Sequence, residues 1–435
     1  MIGASTARRR AAALLAACLL VATAACSSDS DGTDGAPDQP ADGSFTVVTD
    51  ELDVELTDAL NDAGETAFAE TTAPGAVMAI RTSDGTWAAT VGFADRDQTE
   101  PMAADVNQRV GSITKTFTVT ALLQLAEDGE LSLDDPIDDY VEGMPNGDAT
   151  LGELAEMRSG IPSYTFDETF QDTLFGEPDH QWEPQELVDL VKGDEPMFEP
   201  GTAMFYSNTN TVLLGMVIEQ VTGESLGDVL AERIVEPLGL EHTELPADAA
   251  YPEPHPHGYT LQGADDGATE PLDATDWNPS WAWAAGGIVS NLDDLLTWGE
   301  ALGTGEGILD AETQAARLDS FDFDVPVVTG PDTTAPQTPA RAYGQGLGLA
   351  LDWYGHEGEL PGFNTYVQHH EPEGVTLVVM VNSDISSGAD CTDDQPTLPD
   401  DPGIGPCLSP ASRIGNALAA ALELPLVEPA PAEDD

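Results

Sequence analysis

A serine and a lysine three residues apart, Ser112-Ile113-Thr114-Lys115, open an apolar stretch with helical spacing. Positions i and i+3 share one face of a helix, so the amine falls within reach of the hydroxyl. A serine hydroxyl is a weak nucleophile until a base takes its proton, and a desolvated neutral lysine can take it. The helix N-terminus also favours the negative charge that develops during attack. The same four residues read alternatively as a serine cap beside a solvated lysine. Against that reading, the whole chain has only two lysines, Lys115 and Lys192, and Lys115 lies on a mostly apolar helix. A second cluster, Tyr206-Ser207-Asn208, stands at the entrance to another apolar helix. A phenol can relay protons and an amide can both donate and accept, although Ser207 or Asn208 equally suits a helix cap. The third, His356-Glu357-Gly358, lies in GHEGELPGF, where a strand is expected to start. A glycine lets substrate approach the backbone, and a strand edge offers an N–H to an oxyanion; the alternative is a turn with an exposed histidine.

The elements that must carry these clusters follow from periodicity. VMAIRTSDGTWAATVGFA, residues 77–94, predicts two strands around a Ser-Asp-Gly turn. RVGSITKTFTVTALLQLAEDGELSL turns to helical spacing, closed by Gly129. Residues 150–240 read mainly helical, and the Pro-, Gly- and Asp-rich interval 251–280 reads as loop with room for a short strand near TLQG. AAGGIVSNLDDLLTWGEALG runs from strand or loop into helix. GQGLGLALDWYG, FNTYVQHHE and GVTLVVMVNSD read as three successive strands, and 413–422 as a terminal helix. Strands at both ends with helices between them predict an α/β (α+β) domain assembled from both chain ends, with a mainly helical part inserted. The expected organisation is a signal peptide at 1–25, an acidic Ser/Asp/Gly linker at 26–45, a hydrolase domain at 46–425 and an acidic tail at 426–435. Within the domain, 46–120 and 280–425 form the α/β part and 121–279 the helical part.

In order and spacing the three clusters resemble those of the penicillin-recognising serine hydrolases: S-x-x-K, then Y-x-N, then a third motif of K-T-G type. Here the third has the H-x-G form found in secreted actinomycete D-alanyl-D-alanine carboxypeptidases and in related esterases and D-amino-acid peptidases. SGIP, EPGTAMFYSNTNTVLLGMVIEQVTG, ERIVEPLGLEHT, SWAWAAGGIVSNLDDL and GHEGELPGFNTY carry the same resemblance, over about residues 50–385. It implies a beta-lactamase/DD-peptidase-like fold, an antiparallel sheet flanked by helices. It implies that Ser112 forms an acyl-enzyme, that Lys115 and Tyr206 share the proton traffic with either as the base, and that Asn208 holds Lys115 and a substrate amide. The N–H groups of Ser112 and Glu359, beside Gly358, would form the oxyanion hole, His356 would orient or polarise Tyr206, and Trp281 would touch substrate. Two departures bear on substrate. Glu359 stands where a hydroxyl residue is frequent. Ala350 stands where the carboxypeptidases carry an arginine for the peptide's terminal carboxylate. An acid without a nearby cation disfavours an anionic substrate end. The expected activity is therefore that of an acyl-hydrolase on cell-wall peptides, esters or β-lactams, with strict carboxypeptidase activity disfavoured. The alternative is a non-catalytic envelope binding protein that kept the fold.

Composition narrows the partners. The 435 residues hold 13 Lys+Arg against 80 Asp+Glu, a formal charge of −67, with a pI near 4.1. Such a chain has no basic surface for nucleic acid. Arg8, Arg9 and Arg10 precede an apolar run from Ala11 to Ala25, which reads as a signal peptide rather than a membrane span. Ala24-Ala25-Cys26 resembles a bacterial lipoprotein box, making Cys26 the expected lipid anchor; ordinary secretory cleavage is the alternative, and either places the chain outside the cytoplasm. Cys391 and Cys407 flank a segment with almost no core-forming residues, and an exported chain would pair them, closing a loop worth ~3 kcal/mol. No metal and no cofactor are expected, because neither His255-Pro256-His257 nor His369-His370 has a partner at ligand spacing. Gly223-Glu224-Ser225-Leu226-Gly227 matches a nucleophile elbow but follows a helix, so Ser225 reads as a cap. A monomer is expected.

Overall fold

The computed structural model describes residues 42–265, 267–330, 333–391, 397 and 405–427. Cys26, the expected signal peptide, nearly all of the expected linker and the end of the acidic tail lie outside the described residues. No described helix is long and apolar enough to cross a membrane.

An eight-stranded antiparallel sheet is built from both ends of the chain. Its strands are β1 (Thr46–Asp50), β2 (Gly75–Thr82), β3 (Gly85–Gly92), β4 (Ala342–Tyr343), β5 (Gly348–Ala350), β6 (Trp353–Leu360), β7 (Phe363–His370) and β8 (Val375–Val381), in the spatial order β1-β3-β2-β8-β7-β6-β5-β4. Central strands β2 and β8 pair from Thr376↔Arg81 to Val381↔Ala76. β2 is apolar from Ala76 to Ile80 and β8 from Leu377 to Val381, because both sheet faces are covered there. Alternation divides their side chains between two layers. Ala76, Met78 and Ile80 of β2 with Leu377, Val379 and Val381 of β8 pack against helices α1 (Val54–Ala69) and α5 (Pro410–Ala421), through Leu60, Ala411, Ile414 and Leu418. Val77, Ala79, Val378 and Met380 face the other way and join a larger core. That core takes in α2 (Ile113–Glu127), α3 (Asn208–Thr222) and α4 (Leu292–Thr304). It continues through Leu151, Leu154, Phe170, Trp182 and Leu187 into the mainly helical stretch between residues 121 and 279.

The helix that carries Ser112 and Lys115 is buried nearly all round: twelve of its fifteen residues have little exposure. A helix with no solvent face needs its polar side chains satisfied internally. Thr116 Oγ1 donates to Ile113 O (2.6 Å) and accepts from the Trp298 indole (2.8 Å), whose ring stacks on Phe117 at 3.8 Å between centroids. Arg317, wholly buried, donates to Thr120 Oγ1, Thr116 O and Gln345 O. Burial lowers its pKa to about 9.

Three local expectations are corrected. The stretch GQGLGLALDWYG is not one strand: a turn at Leu351 (φ +58°) divides β5 from β6. The His356-Glu357-Gly358 cluster therefore lies in the middle of β6, not at the start of a strand. A hairpin, Pro326–Gly330 with Thr333–Pro336, arises in a region with no predicted element. It clamps the loop before Tyr206 through Met204 N to Pro326 O and Val328 N to Met204 O, both 2.8 Å. Ser225 caps the short helix Leu226–Leu230, accepting from Asp228 N, as its spacing predicts. Cys391 and Cys407 are brought together, with Cα atoms 4.8 Å apart and their sulfurs in contact.

Candidate active site

Ser112 is the first residue of the turn into α2, half-buried at the junction of that helix with the open edge of β6. Two glycines make the junction possible. Gly111 has φ +55°, and a Cβ there would stand 2.6 Å from Glu359 N. A Cβ on Gly358 would stand 1.9 Å from Val110 O. No side chain fits either position, so the helix start and the strand edge meet backbone to backbone. Among the described residues no hydrogen bond uses the Ser112 N–H; the turn bonds around it run from Ile113, Thr114 and Lys115 to Val110, Gly111 and Ser112. Ser112 N–H and Glu359 N–H therefore flank the same small space.

Lys115 Nζ lies 3.0 Å from Ser112 Oγ and donates to Ala285 O at 2.7 Å. Its side chain is fully buried, with the Tyr206 ring 4.8 Å from Nζ. Burial alone pushes its pKa well below the ordinary lysine value, and no carboxylate offsets it. The amine is thus available as a proton acceptor. The Tyr206 phenol moves the other way: burial raises its pKa, the Ser112 hydroxyl lowers it in part, and Glu357 raises it again. It stays protonated at neutral pH.

His356 is buried beneath Tyr206. Its Nδ1 meets the Glu357 carbonyl, which can only accept, so Nδ1 carries the proton and Nε2 accepts. The Tyr343 hydroxyl lies 3.2 Å and the Tyr206 hydroxyl 3.5 Å from Nε2. Burial, then the nearby Lys115, lowers the imidazole pKa to about 3. His356 is therefore a neutral acceptor that orients two phenols.

The structure brings Ser112, Lys115, Tyr206, His356, Gly358 and the Glu359 backbone together. Asn208 is adjacent in sequence but differs from expectation. Among the described residues its amide makes no hydrogen bond to Lys115; the Ala285 carbonyl fills that role. Asn208 starts α3, its N–H donating to Ser163 Oγ at 3.2 Å, while Ser207 occupies the cap position without a capping bond. Trp281 is half-buried; its ring meets Phe170 edge-on at 5.7 Å and its carbonyl accepts from Tyr164 Oη at 2.6 Å. Sequence reasoning missed Tyr343, Ser163 and the Ala285 carbonyl. Tyr343 precedes a glycine-rich run, but no spacing ties it to a motif, and a backbone acceptor leaves no trace in residue type. Among the described residues no cluster of His, Cys, Asp and Glu is placed to hold a metal.

The family profile described as Beta-lactamase matches residues 60–398. The chain belongs to this family of serine hydrolases. The D-stereospecific amidohydrolase from a Streptomyces species is 34% identical, with TM-score 0.66, over 75% of this chain and 94% of that one. The D-amino acid amidase of Ochrobactrum anthropi SV3, solved with D-phenylalanine, is 27% identical with TM-score 0.68, over 85% of this chain and 99% of its own. A D-aminopeptidase from Brucella anthropi is 28% identical over 322 residues, 71% of this chain and 56% of that protein. The chain spans about half the length of the curated relatives it matches.

Proposed function

We propose that this protein is an extracytoplasmic amidohydrolase that cleaves amides of D-configured amino acids through an acyl-enzyme on Ser112. The observation that carries the reading is a wholly buried, unpaired Lys115 amine 3.0 Å from a half-buried Ser112 hydroxyl. Lys115 is the base in this reading: burial lowers its pKa and raises that of Tyr206, which favours the amine over the phenol as the proton acceptor. Ser112 Oγ bonds to the acyl carbon as its proton passes to Lys115 Nζ. The carbonyl oxygen gains charge between the N–H groups of Ser112 and Glu359. Collapse breaks the C–N bond, and the leaving amine takes a proton from the Lys115–Tyr206 pair. Water then repeats the sequence, releasing the acid and restoring Ser112. Asn208 and Trp281 line the substrate side in this reading.

The D preference is supported by the names of three relatives: D-stereospecific amidohydrolase, D-amino acid amidase and D-aminopeptidase. Ala350 in place of a cation supports an amidase or esterase over a D-alanyl-D-alanine carboxypeptidase. Export by residues 1–25, lipidation of Cys26 and a Cys391–Cys407 disulfide belong to the same reading. The test is a panel on purified protein: D- and L-phenylalanine amide, a p-nitrophenyl ester, nitrocefin and diacetyl-Lys-D-Ala-D-Ala. D-phenylalanine amide is expected to exceed its L-enantiomer, and the ester to exceed D-Ala release from the tripeptide. A fluorophosphonate should label wild type and not Ser112→Ala. Failure to label wild type, or equal labelling of the variant, would sink the acyl-enzyme and favour a binding protein.

A further inference from the structure

The proposed oxyanion donor on β6 is one half of a peptide unit whose other half is also held. The Glu359 N–H and the Gly358 carbonyl belong to one trans peptide, so they point in opposite directions across it. The nitrogen lies on the Gly111 side of β6, at the start of α2. On the carbonyl side, the Asn364 side-chain amide donates to Gly358 O at 3.2 Å. Asn364 stands opposite Glu359 in the β6–β7 pairing and is wholly buried. Its Nδ2 also donates to Glu357 Oε1 at 3.2 Å, and its Oδ1 accepts from Ala411 N–H at 2.8 Å. These partners fix which way the amide faces. A backbone N–H only donates and a carbonyl only accepts, so Oδ1 must meet Ala411 and Nδ2 must meet Gly358.

Two further segments hold this amide in place. Ala411 is in the first turn of α5, where helix N–H groups lack acceptors within the helix, and Asn364 Oδ1 supplies one. Ser409, at the cap position of α5, makes no capping bond and donates its hydroxyl to Glu357 Oε1 instead. Gln108, four residues before Ser112, donates to Asn364 O at 3.3 Å and to Thr365 Oγ1 at 2.9 Å. A hydrogen bond accepted by a peptide carbonyl draws charge through the unit and strengthens its N–H as a donor; such chains reinforce themselves in a low-dielectric interior. We infer that Asn364 is a positioning residue for acyl transfer, orienting and polarising the Gly358–Glu359 peptide whose N–H receives the oxyanion. The inference rests on the acyl-enzyme reading above and adds a residue that acts on the reaction only through that peptide. A stronger donor matters most when the substrate oxygen carries full charge, so its effect falls on the transition state more than on the bound substrate.

The experiment measures kcat and KM for a p-nitrophenyl ester in wild type, Asn364→Ala and Asn364→Asp. It also measures Ki for phenylboronic acid, which forms a tetrahedral adduct on a reactive serine. Deleting an oxyanion donor costs about 10²–10³ in kcat, so weakening one should cost about tenfold. Asn364→Ala should lower kcat by that factor with KM little changed, and weaken the boronic acid to a similar degree. Asn364→Asp keeps the shape and the oxygen that accepts from Ala411, but its carboxylate has no proton to give Gly358 O. Its kcat relative to wild type should rise as the pH is lowered and the new carboxyl, beside Glu357 and opposite Glu359, becomes a donor. A purely structural role for Asn364 gives no such recovery. Fluorophosphonate labelling of Ser112 and a thermal melt show that each variant is folded. A labelled Asn364→Ala with unchanged kcat, or one whose loss lies in KM and leaves the boronic acid affinity intact, overturns the inference and leaves the acyl-enzyme standing. If Asn364→Ala does not fold, Asn364→Asp decides alone, and a kcat ratio to wild type that does not vary with pH overturns the inference. Absence of labelling in wild type overturns both.

Discussion

At the scale of single residues, the chemistry turns on which groups are neutral. Lys115 has a folded pKa well below its unfolded one, because burial disfavours the ammonium. Between those two values the unfolded chain binds more protons than the native one, so stability rises with pH across that window. Lys115→Met removes the titrating group. Denaturant melts at about pH 7 and about pH 9 should therefore show wild type gaining stability relative to the variant at the higher pH. The same substitution should lower kcat by about 10²–10⁴-fold, the usual range for a general base, measured by steady-state turnover of a p-nitrophenyl ester. Equal turnover would assign the base elsewhere. The three motif clusters were legible as residue types at set spacings, and their convergence on Ser112 follows from them. Tyr343, Ser163 and the Ala285 carbonyl were not legible, because each acts through a fold-level approach that no local pattern encodes. Asn208 shows the converse: its place at a helix entrance beside Tyr206 was legible, but the contact to Lys115 expected of it is made by a backbone oxygen.

At the scale of elements, the site is a meeting of one helix start and one strand edge. The paired strands β2 and β3 and the terminal helix were legible, since alternation and helical spacing are local signals. The division of β5 from β6 was not, because GLGLALDWYG has no glycine or proline at the turn itself, which Leu351 makes with a positive φ. The hairpin over 326–336 is mostly half-exposed and lacks the apolar alternation that marks a strand. The contact between Gly358 and Val110 is the tightest constraint on the site. Gly358→Ala should force β6 away from α2 and cost about 1–3 kcal/mol, as overpacking does. Activity should fall much further than stability, because the Glu359 N–H moves with the strand. Thermal melts beside ester turnover check this; a variant that keeps full turnover would show that the strand edge takes no part.

At the scale of the whole molecule, scarcity of positive charge is compounded by where it is placed. The described residues include ten Lys and Arg, and four of them, Arg109, Lys115, Arg317 and Arg413, are buried. Arg109 donates to Trp277 O and lies over the Tyr251 ring; Arg317 holds α2; Arg413 holds Ser387 O and Glu70. The surface is therefore more one-sided than the formal −67 conveys, and its carboxylates repel one another. Screening shortens that repulsion to ~10 Å at 0.1 M salt. Both the melting temperature and ester turnover at neutral pH should rise as NaCl is raised from low to about molar concentration. A flat or falling response would show that the acidic surface imposes no strain. This charge pattern was legible in composition; the internal placement of the cations was not, since arginine normally marks a surface.

The pairing of β2 with β8 has a consequence in time. Gly75 N–H donates to Asn382 Oδ1 at 2.8 Å across 307 residues of chain. During synthesis the β1–β3–β2 ribbon must wait, one apolar edge unpaired, until β8 and Asn382 beyond it have been made. The candidate site shares that delay: Ser112 is made early, but Glu359 on β6, its proposed oxyanion partner, follows some 247 residues later. A nascent or truncated chain ending before β6 therefore carries Ser112 and Lys115 without the strand edge that completes the proposed site, and turnover is expected only once β6 has closed against the start of α2.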